Sequence, residues 1–329
     1  LLVVTRLLHM SIPTNWCADR YRLTSTVRPS AAGFHYLAAT DMETGGHVMV
    51  KAARRSMLHV SEASAFETEG RVVARLAHPG ILSLFDVGAA GDWIYHVYQL
   101  SERRPLAEIL SAGPLALDTT IMIAAQVADA LAFVHHQGLL HDYLHSMNVL
   151  VGARNQVSLA NFGIGWERHG AIAPTSSPPE RVLRNERSPR GDTYAFGTLL
   201  WELLTGRPFI NVNTTQELMQ FHANPPAADV GAFCPDLPRW IRRLVERCLR
   251  PRPAERPACG EELAIEFEGR AGTAGLPAIA ARAQELESRA FPAPLVPILR
   301  DLGKLRDPAL AFFRLLDLGE VALKLATCA

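Results

Sequence analysis

The sequence predicts an α+β fold: a small β-rich lobe with one helix, then a larger helical lobe, then a helical extension. Three observations carry that expectation. Up to about residue 100, apolar residues fall in short runs separated by turn signals. From about residue 101 they recur at helical spacing, and beyond about Arg270 the composition shifts towards Ala, Leu and Pro. The expected divisions are an unpatterned segment over 1–18, a first lobe over about 19–100, a second over about 101–270, and the extension over 271–329.

Taken in order, Tyr21-Arg22-Leu23, Phe34 to Ala38 and His47 to Lys51 read as short strands, with Thr44-Gly45-Gly46 as a turn. Ser61 to Ala77 reads as an amphipathic helix, with Phe66, Val72, Val73 and Leu76 apolar and Glu67, Glu69, Arg71 and Arg75 charged. His78-Pro79-Gly80 stops it. The runs Ile81 to Val87 and Trp93 to Leu100 read as strands joined by a loop over 88–92. Asp118 to Gln137 is helical, with Ile121, Ala124, Ala125, Ala128, Leu131 and Ala132 on one face. Further helices are expected over Asp192 to Thr205, Leu237 to Leu249 and Cys259 to Phe267, and a strand over Val157 to Ala160. In the extension, Asp307-Pro308 is a helix start, N-cap then first helical position, and the helix runs from Ala309 to about Ala326.

Bulk properties narrow the function classes. Lys+Arg and Asp+Glu each number 33, so the formal net charge is zero. That balance predicts neither nucleic acid nor membrane as a partner. No stretch reaches the roughly 18 uninterrupted apolar residues of a membrane span. Five scattered cysteines, Cys17, Cys234, Cys248, Cys259 and Cys328, with no C-x-x-C pair, predict free thiols, a reducing compartment and a cytoplasmic location.

The segment from Leu139 to Val151 carries the most chemistry. His141 and Asn148 stand at the two ends of the pattern H-R-D-L-x-x-x-N, followed by an apolar strand. Val48-Met49-Val50-Lys51 matches V-A-I-K, and Glu69 lies in the following helix nine residues before His78-Pro79. Asn161-Phe162-Gly163 matches D-F-G except at its first residue, and Pro178-Pro179-Glu180 matches A-P-E. In order and spacing these motifs resemble the protein kinase family over roughly Tyr21 to Phe267, and its bacterial Ser/Thr branch in particular.

That resemblance implies a bilobal kinase-like fold and assigns expected roles. Lys51 would hold nucleotide phosphates and pair with Glu69, and Asn148 would face a metal ion. Gln99 and Ser101 would offer hinge backbone groups to adenine, with Tyr98 narrowing the pocket behind them. Of the three glycine positions of the phosphate loop, Arg28 and Ser30 replace two and only Gly33 remains. Glu180 would pair with Arg256, and Asp192 would anchor the catalytic loop, as structural supports.

The transfer positions depart from the family. Tyr143 replaces the catalytic Asp, His145 the neutralising Lys, and Asn161 the metal-binding Asp. A phenol with pKa near 10 is a poor general base at neutral pH. An amide is a poor substitute for a carboxylate on Mg²⁺, so weak or no Mg²⁺ binding is expected, through Asn148 and Asn161 if at all. Ala173 stands where a Thr of the activation segment would contact the base.

The expected protein is therefore a pseudokinase with no catalytic residue of its own, meeting a protein partner through the helical lobe or the extension. The alternative is an active, atypical Ser/Thr kinase using Asp142 as base. Two states stay open for the cleft: metal-independent ATP binding, or close packing with no ligand. A metal site from His135, His136, His141, His145 and Asp142 is disfavoured, with His135 and His136 read as side chains complementing a helix C-terminus.

Overall fold

The computed structural model describes residues 15–16, 20–29, 34–100, 103–163 and 175–268. The chain divides into two compact units, Leu1–Glu266 and Phe267–Ala329. The described residues belong almost wholly to the first. The expected extension over 271–329, with its helix from Ala309, lies outside them, as do most of residues 1–18.

The first lobe is a six-stranded antiparallel sheet in the order β1-β2-β3-β4-β6-β5. Its strands are β1 (Asn15–Trp16), β2 (Tyr21–Pro29), β3 (His35–Asp41), β4 (His47–Arg54), β5 (Leu84–Ala90) and β6 (Trp93–Gln99). Alternation along β4 decides what each face does. Val48, Val50 and Ala52 join Tyr21, Leu37, Trp93, Tyr95 and Val97 in one apolar cluster. Ala53 turns the other way and packs with Phe34, Phe66 and Ile94 under helix α1 (Val60–Val73). Lys51 shares that second face, which is why its stem lies among aromatic rings.

Helix α1 begins at a capping box: the His59 side chain accepts from the backbone while Glu62 reaches back to the His59 N–H. It is shorter than the sequence pattern suggests. After Val73 the N–H groups of Arg75 and Leu76 bond three residues back, tightening the last turn before His78. Gly70 lets the helix lie close to the sheet, because a Cβ there would sit 2.4 Å from His96 Nε2. The expected loop over 88–92 is a two-residue turn instead. Ala90 pairs with Trp93 across Gly91 and Asp92, and Gly91 has φ +58°.

The second lobe is built around α3 (Leu117–His136) and α5 (Pro189–Thr205). Helix α3 is long and apolar enough to cross a membrane by length and composition, with a mean hydropathy of 1.5. Its residues Ile123, Ala124, Val127, Ala128, Ala130, Leu131 and Val134 are buried in the lobe core. Helix α5 starts three residues before the expected Asp192, with Pro189 in its first turn. Helices α7 (Arg239–Cys248) and α8 (Gly260–Phe267) complete the expected set.

Three short helices escape the sequence pattern: α2 (Leu106–Leu110), α4 (Pro179–Arg184) and α6 (Thr215–Ala223). A three-stranded antiparallel sheet, β7 (Arg104–Pro105), β8 (Val149–Val151) and β9 (Val157–Leu159), carries the loops of the site.

Candidate functional site

The loop before β8 is held from below by one carboxylate. Asp192, in the first turn of α5, is 2% exposed. Its Oδ2 accepts from the His141 N–H at 2.8 Å and its Oδ1 from the Asp142 N–H at 2.8 Å. His135 Nε2 donates to Oδ2 at 2.9 Å, while His135 Nδ1 accepts from the Gly260 N–H at 2.8 Å. That pair of bonds fixes the neutral tautomer of His135. His135 is therefore a buried support of the loop and not a side chain complementing a helix end. His136, its neighbour, faces Glu261 at 3.7 Å.

His141 is fully buried and stacks on Phe162 at 4.5 Å. Burial pushes its pKa down to about 4, so it stays neutral. Its Nδ1 accepts from the Tyr143 N–H, and its carbonyl accepts from the Gly163 N–H at 2.7 Å. The segment from His141 to Tyr143 is thus tied to Asn161-Phe162-Gly163. Among the described residues no three His, Cys, Asp or Glu side chains converge on one point.

Lys51 reaches this assembly from β4. Its ammonium lies 5.0 Å from the centre of the Phe34 ring and 5.4 Å from that of Phe66. It donates to Asn161 Oδ1 at 2.8 Å. Asn161 Nδ2 donates to Asn148 Oδ1 at 2.9 Å. Asn148 Nδ2 in turn donates to the Tyr143 carbonyl and to His145 Nε2, both at 2.9 Å. Lys51, Asn161, Asn148, Tyr143 and His145 form one directional relay. Asn161 has φ +55°, a left-handed backbone that Asn tolerates better than most residues. The ion pair expected between Lys51 and Glu69 is absent from those of the described residues. Glu69 is buried, and burial, aided by the Glu69 charge, raises the pKa of the Tyr98 phenol.

Behind the relay, Tyr98 and His96 share a face of β6. His96 Nε2 donates to the Phe66 carbonyl at 2.9 Å, and the Tyr98 hydroxyl lies 3.1 Å from His96 Nδ1. The ring stacks on Phe66 at 3.6 Å. Burial, aided by the Lys51 charge, lowers the His96 pKa to about 3. Nothing in the sequence pattern flagged His96, which sits within an otherwise apolar strand.

Asp142 faces away from the relay. Its carboxylate lies 3.1 Å from Arg187 Nε and 3.6 Å from Arg181 Nε, joining the loop to α4 and the residues after it. Burial pushes its pKa up to about 6 against the pull of Arg181 and Arg187. Glu180 and Arg256 form a bidentate pair, Nη1–Oε1 2.7 Å and Nη2–Oε2 2.9 Å. Arg256 also donates to the carbonyls of Arg250, Arg190 and Pro251, so all five of its N–H groups are used.

A cavity of about 350 Å³ opens beside the loop, with Tyr143, His145, Met147, Phe209 and Glu202 in its wall. Ser146 Oγ donates to Glu202 Oε1 at 3.0 Å, and burial raises the pKa of that carboxyl.

This arrangement can be set beside known proteins. The family model for the protein kinase domain matches residues 35–267. The chain belongs to the protein kinase family. The serine/threonine-protein kinase PknA of Mycobacterium tuberculosis is 30% identical over 260 residues, 74% of this chain and 59% of that protein. The serine/threonine-protein kinase pkn2 of Myxococcus xanthus is 26% identical over 263 residues, 74% of this chain and 32% of that protein. The chain thus matches less than two thirds of the length of these relatives. A crystal structure of the Mycobacterium tuberculosis PknI kinase domain superposes with a TM-score of 0.64 at 22% identity. It covers 80% of this chain and 100% of that one, which establishes the kinase fold.

Within this kinase fold, Gly33 and Ser101 lie outside the described residues, as do Ser30 and Ala173. Gln99 ends β6 with its side chain exposed and its N–H bonded to the Ser83 carbonyl at 3.0 Å. The residues at the metal positions of the family do not fit Mg²⁺. Asn161 Oδ1 already accepts from an ammonium and Asn148 Oδ1 from an amide. No carboxylate takes part in the relay, and a hard divalent cation prefers carboxylate oxygens to amides already engaged in hydrogen bonds.

Proposed function

We propose that this kinase domain is catalytically impaired and acts as a regulatory, protein-binding module with weak, metal-independent ATP binding. The relay Lys51–Asn161–Asn148 supports the reading most directly. Phosphoryl transfer is positioning plus electrostatics, and here the base position is a phenol and the metal positions are amides bonded to each other. Lys51 still offers a cation to phosphate, since it spends one of its three protons on Asn161. The half-buried Glu202 carboxylate in the cavity beside the loop suits a basic side chain of a protein partner.

A second reading, an active Ser/Thr kinase, is favoured by the relatives, which are named serine/threonine-protein kinases. In that reading Asp142, with its pKa near 6, is the base. Its oxygens, however, face Arg181 and Arg187.

Phosphotransfer from γ-labelled ATP, with the full chain, Mg²⁺ and generic protein substrates, separates the two. The impaired reading expects no transfer above the no-enzyme background. Transfer that Asp142→Asn abolishes establishes the active kinase instead.

A further inference from the structure

Each amide of the relay is oriented by its neighbours. Turning Asn161 over would point its NH₂ at the Lys51 ammonium. Turning Asn148 over would set its NH₂ against that of Asn161 and its oxygen against the Tyr143 carbonyl. Both orientations are therefore locked, and both side-chain oxygens that a metal would use are already accepting hydrogen bonds. A divalent ion on Asn161 Oδ1 would also share that oxygen with an ammonium 2.8 Å away. Mutual repulsion, with no nearby carboxylate in the relay to offset it, opposes entry of the ion.

We propose that Lys51, seated on Asn161, is the built-in cation of this cleft: it takes the nucleotide triphosphate free of metal, and Mg²⁺ opposes binding. The ligand named here rests on the nucleotide-binding reading above; the exclusion of the metal rests on the relay alone. Free ATP carries more negative charge than its Mg²⁺ complex, so a site with a fixed cation and neutral amides attracts the free form more strongly. The same logic assigns the sign of the metal effect to one residue. A carboxylate at position 161 would still pair with Lys51 and would supply the protein carboxylate for Mg²⁺ that the relay lacks.

Calorimetric titration of the full chain with ATP, in EDTA and in excess MgCl₂ at matched ionic strength, tests the first part. Wild type should bind at least about fivefold more weakly in Mg²⁺, and Asn161→Asp at least about fivefold more tightly in Mg²⁺. Lys51→Met, which keeps an apolar stem over Phe34 and Phe66, should lose binding in EDTA. Tighter ATP binding by wild type in Mg²⁺ overturns the proposal.

Mn²⁺ alone, followed by electron paramagnetic resonance, tests the exclusion separately. Asn161→Asp should hold an ion about tenfold more tightly than wild type, a difference of about 1.4 kcal/mol. Equal Mn²⁺ binding by the two proteins sinks the exclusion. No ATP binding in either buffer sinks the nucleotide reading, and with it the ligand named here, while the Mn²⁺ comparison still judges the relay.

Discussion

Replacing Glu180 by Ala should unfold this kinase lobe more readily than almost any other single change. Arg256 is 2% exposed, and two of its five N–H groups go to the Glu180 carboxylate. The other three go to the carbonyls of Arg250 and Pro251 and to that of Arg190 in the first turn of α5, so the guanidinium cannot swing out to water when the carboxylate leaves. A buried cation then loses its counter-charge, a loss of about 3–5 kcal/mol. The Tyr194 ring, 4.8 Å from the guanidinium carbon, recovers only a small part of that. Urea unfolding at pH 7, read by tryptophan fluorescence and circular dichroism, measures the change. A double-mutant cycle adds the decisive comparison. Arg256→Met alone strands the Glu180 carboxylate, but combined with Glu180→Ala it leaves neither charge, so the double variant should be less destabilised than the sum of the singles by at least about 2 kcal/mol. Strict additivity, or a loss below about 1 kcal/mol for Glu180→Ala, would refute the claim that Glu180 and Arg256 act as one buried pair.

Two further predictions concern the loop. Asp192→Asn keeps one acceptor oxygen but sets an NH₂ against a donor, where three N–H groups from His141, Asp142 and His135 now converge. The expected loss is about 2–3 kcal/mol in the same unfolding assay, counted as roughly two broken buried hydrogen bonds. The pH dependence of stability carries opposing contributions. His96, His141 and His222, with pKa values lowered to about 3, 4 and 4, make the unfolded chain bind more protons as pH falls below 6.5. Their contribution is present above that pH and lost on acidification. Asp142, raised from 3.8 to about 6, has the opposite sign: its contribution is full below the unfolded value and lost as pH rises through 6. His35, its pKa lowered by burial, adds to the histidine side, and Glu202, its pKa raised by burial, to that of Asp142, so the net effect between about 4.5 and 5.5 is a loss of stability on acidification. Asp142→Asn should steepen that loss, and unfolding curves at pH 4.5, 5.5 and 7 that show a shallower one would contradict the assignment.

The sequence pattern was most informative where one period or one motif dominates. Helix α3 is legible because apolar residues cover one face for five turns, and β4 because Val48 and Val50 alternate with Met49 and Lys51 within a known motif. Short helices were lost because five to nine residues do not establish a period, although Thr214 and Glu217 spell a capping box ahead of α6. Within the site, the spacing of His141, Asn148 and Asn161 identified the positions where the residues depart from the family pattern. It did not reveal the bonding. The motif pattern offers Glu69 as the partner of Lys51, and only three-dimensional placement shows the ammonium bonded to Asn161 instead. The clamp of Asp142 by Arg181 and Arg187 was likewise hidden by some forty residues of intervening chain. His135 read as a helix-end cation because its partners, Asp192 and Gly260, come from distant helices.

The account stands or falls on whether a phenol and two linked amides can support transfer of the γ-phosphoryl group. A single-turnover assay with purified full chain in molar excess over γ-labelled ATP and Mg²⁺ is the direct measurement, since it detects one slow event without demanding turnover. The prediction is no labelled protein or phosphate above the level of a Lys51→Met control. Transfer that exceeds that control, and disappears on replacing Asp142 with Asn, would show that the Asn161–Asn148 relay does not disable this kinase.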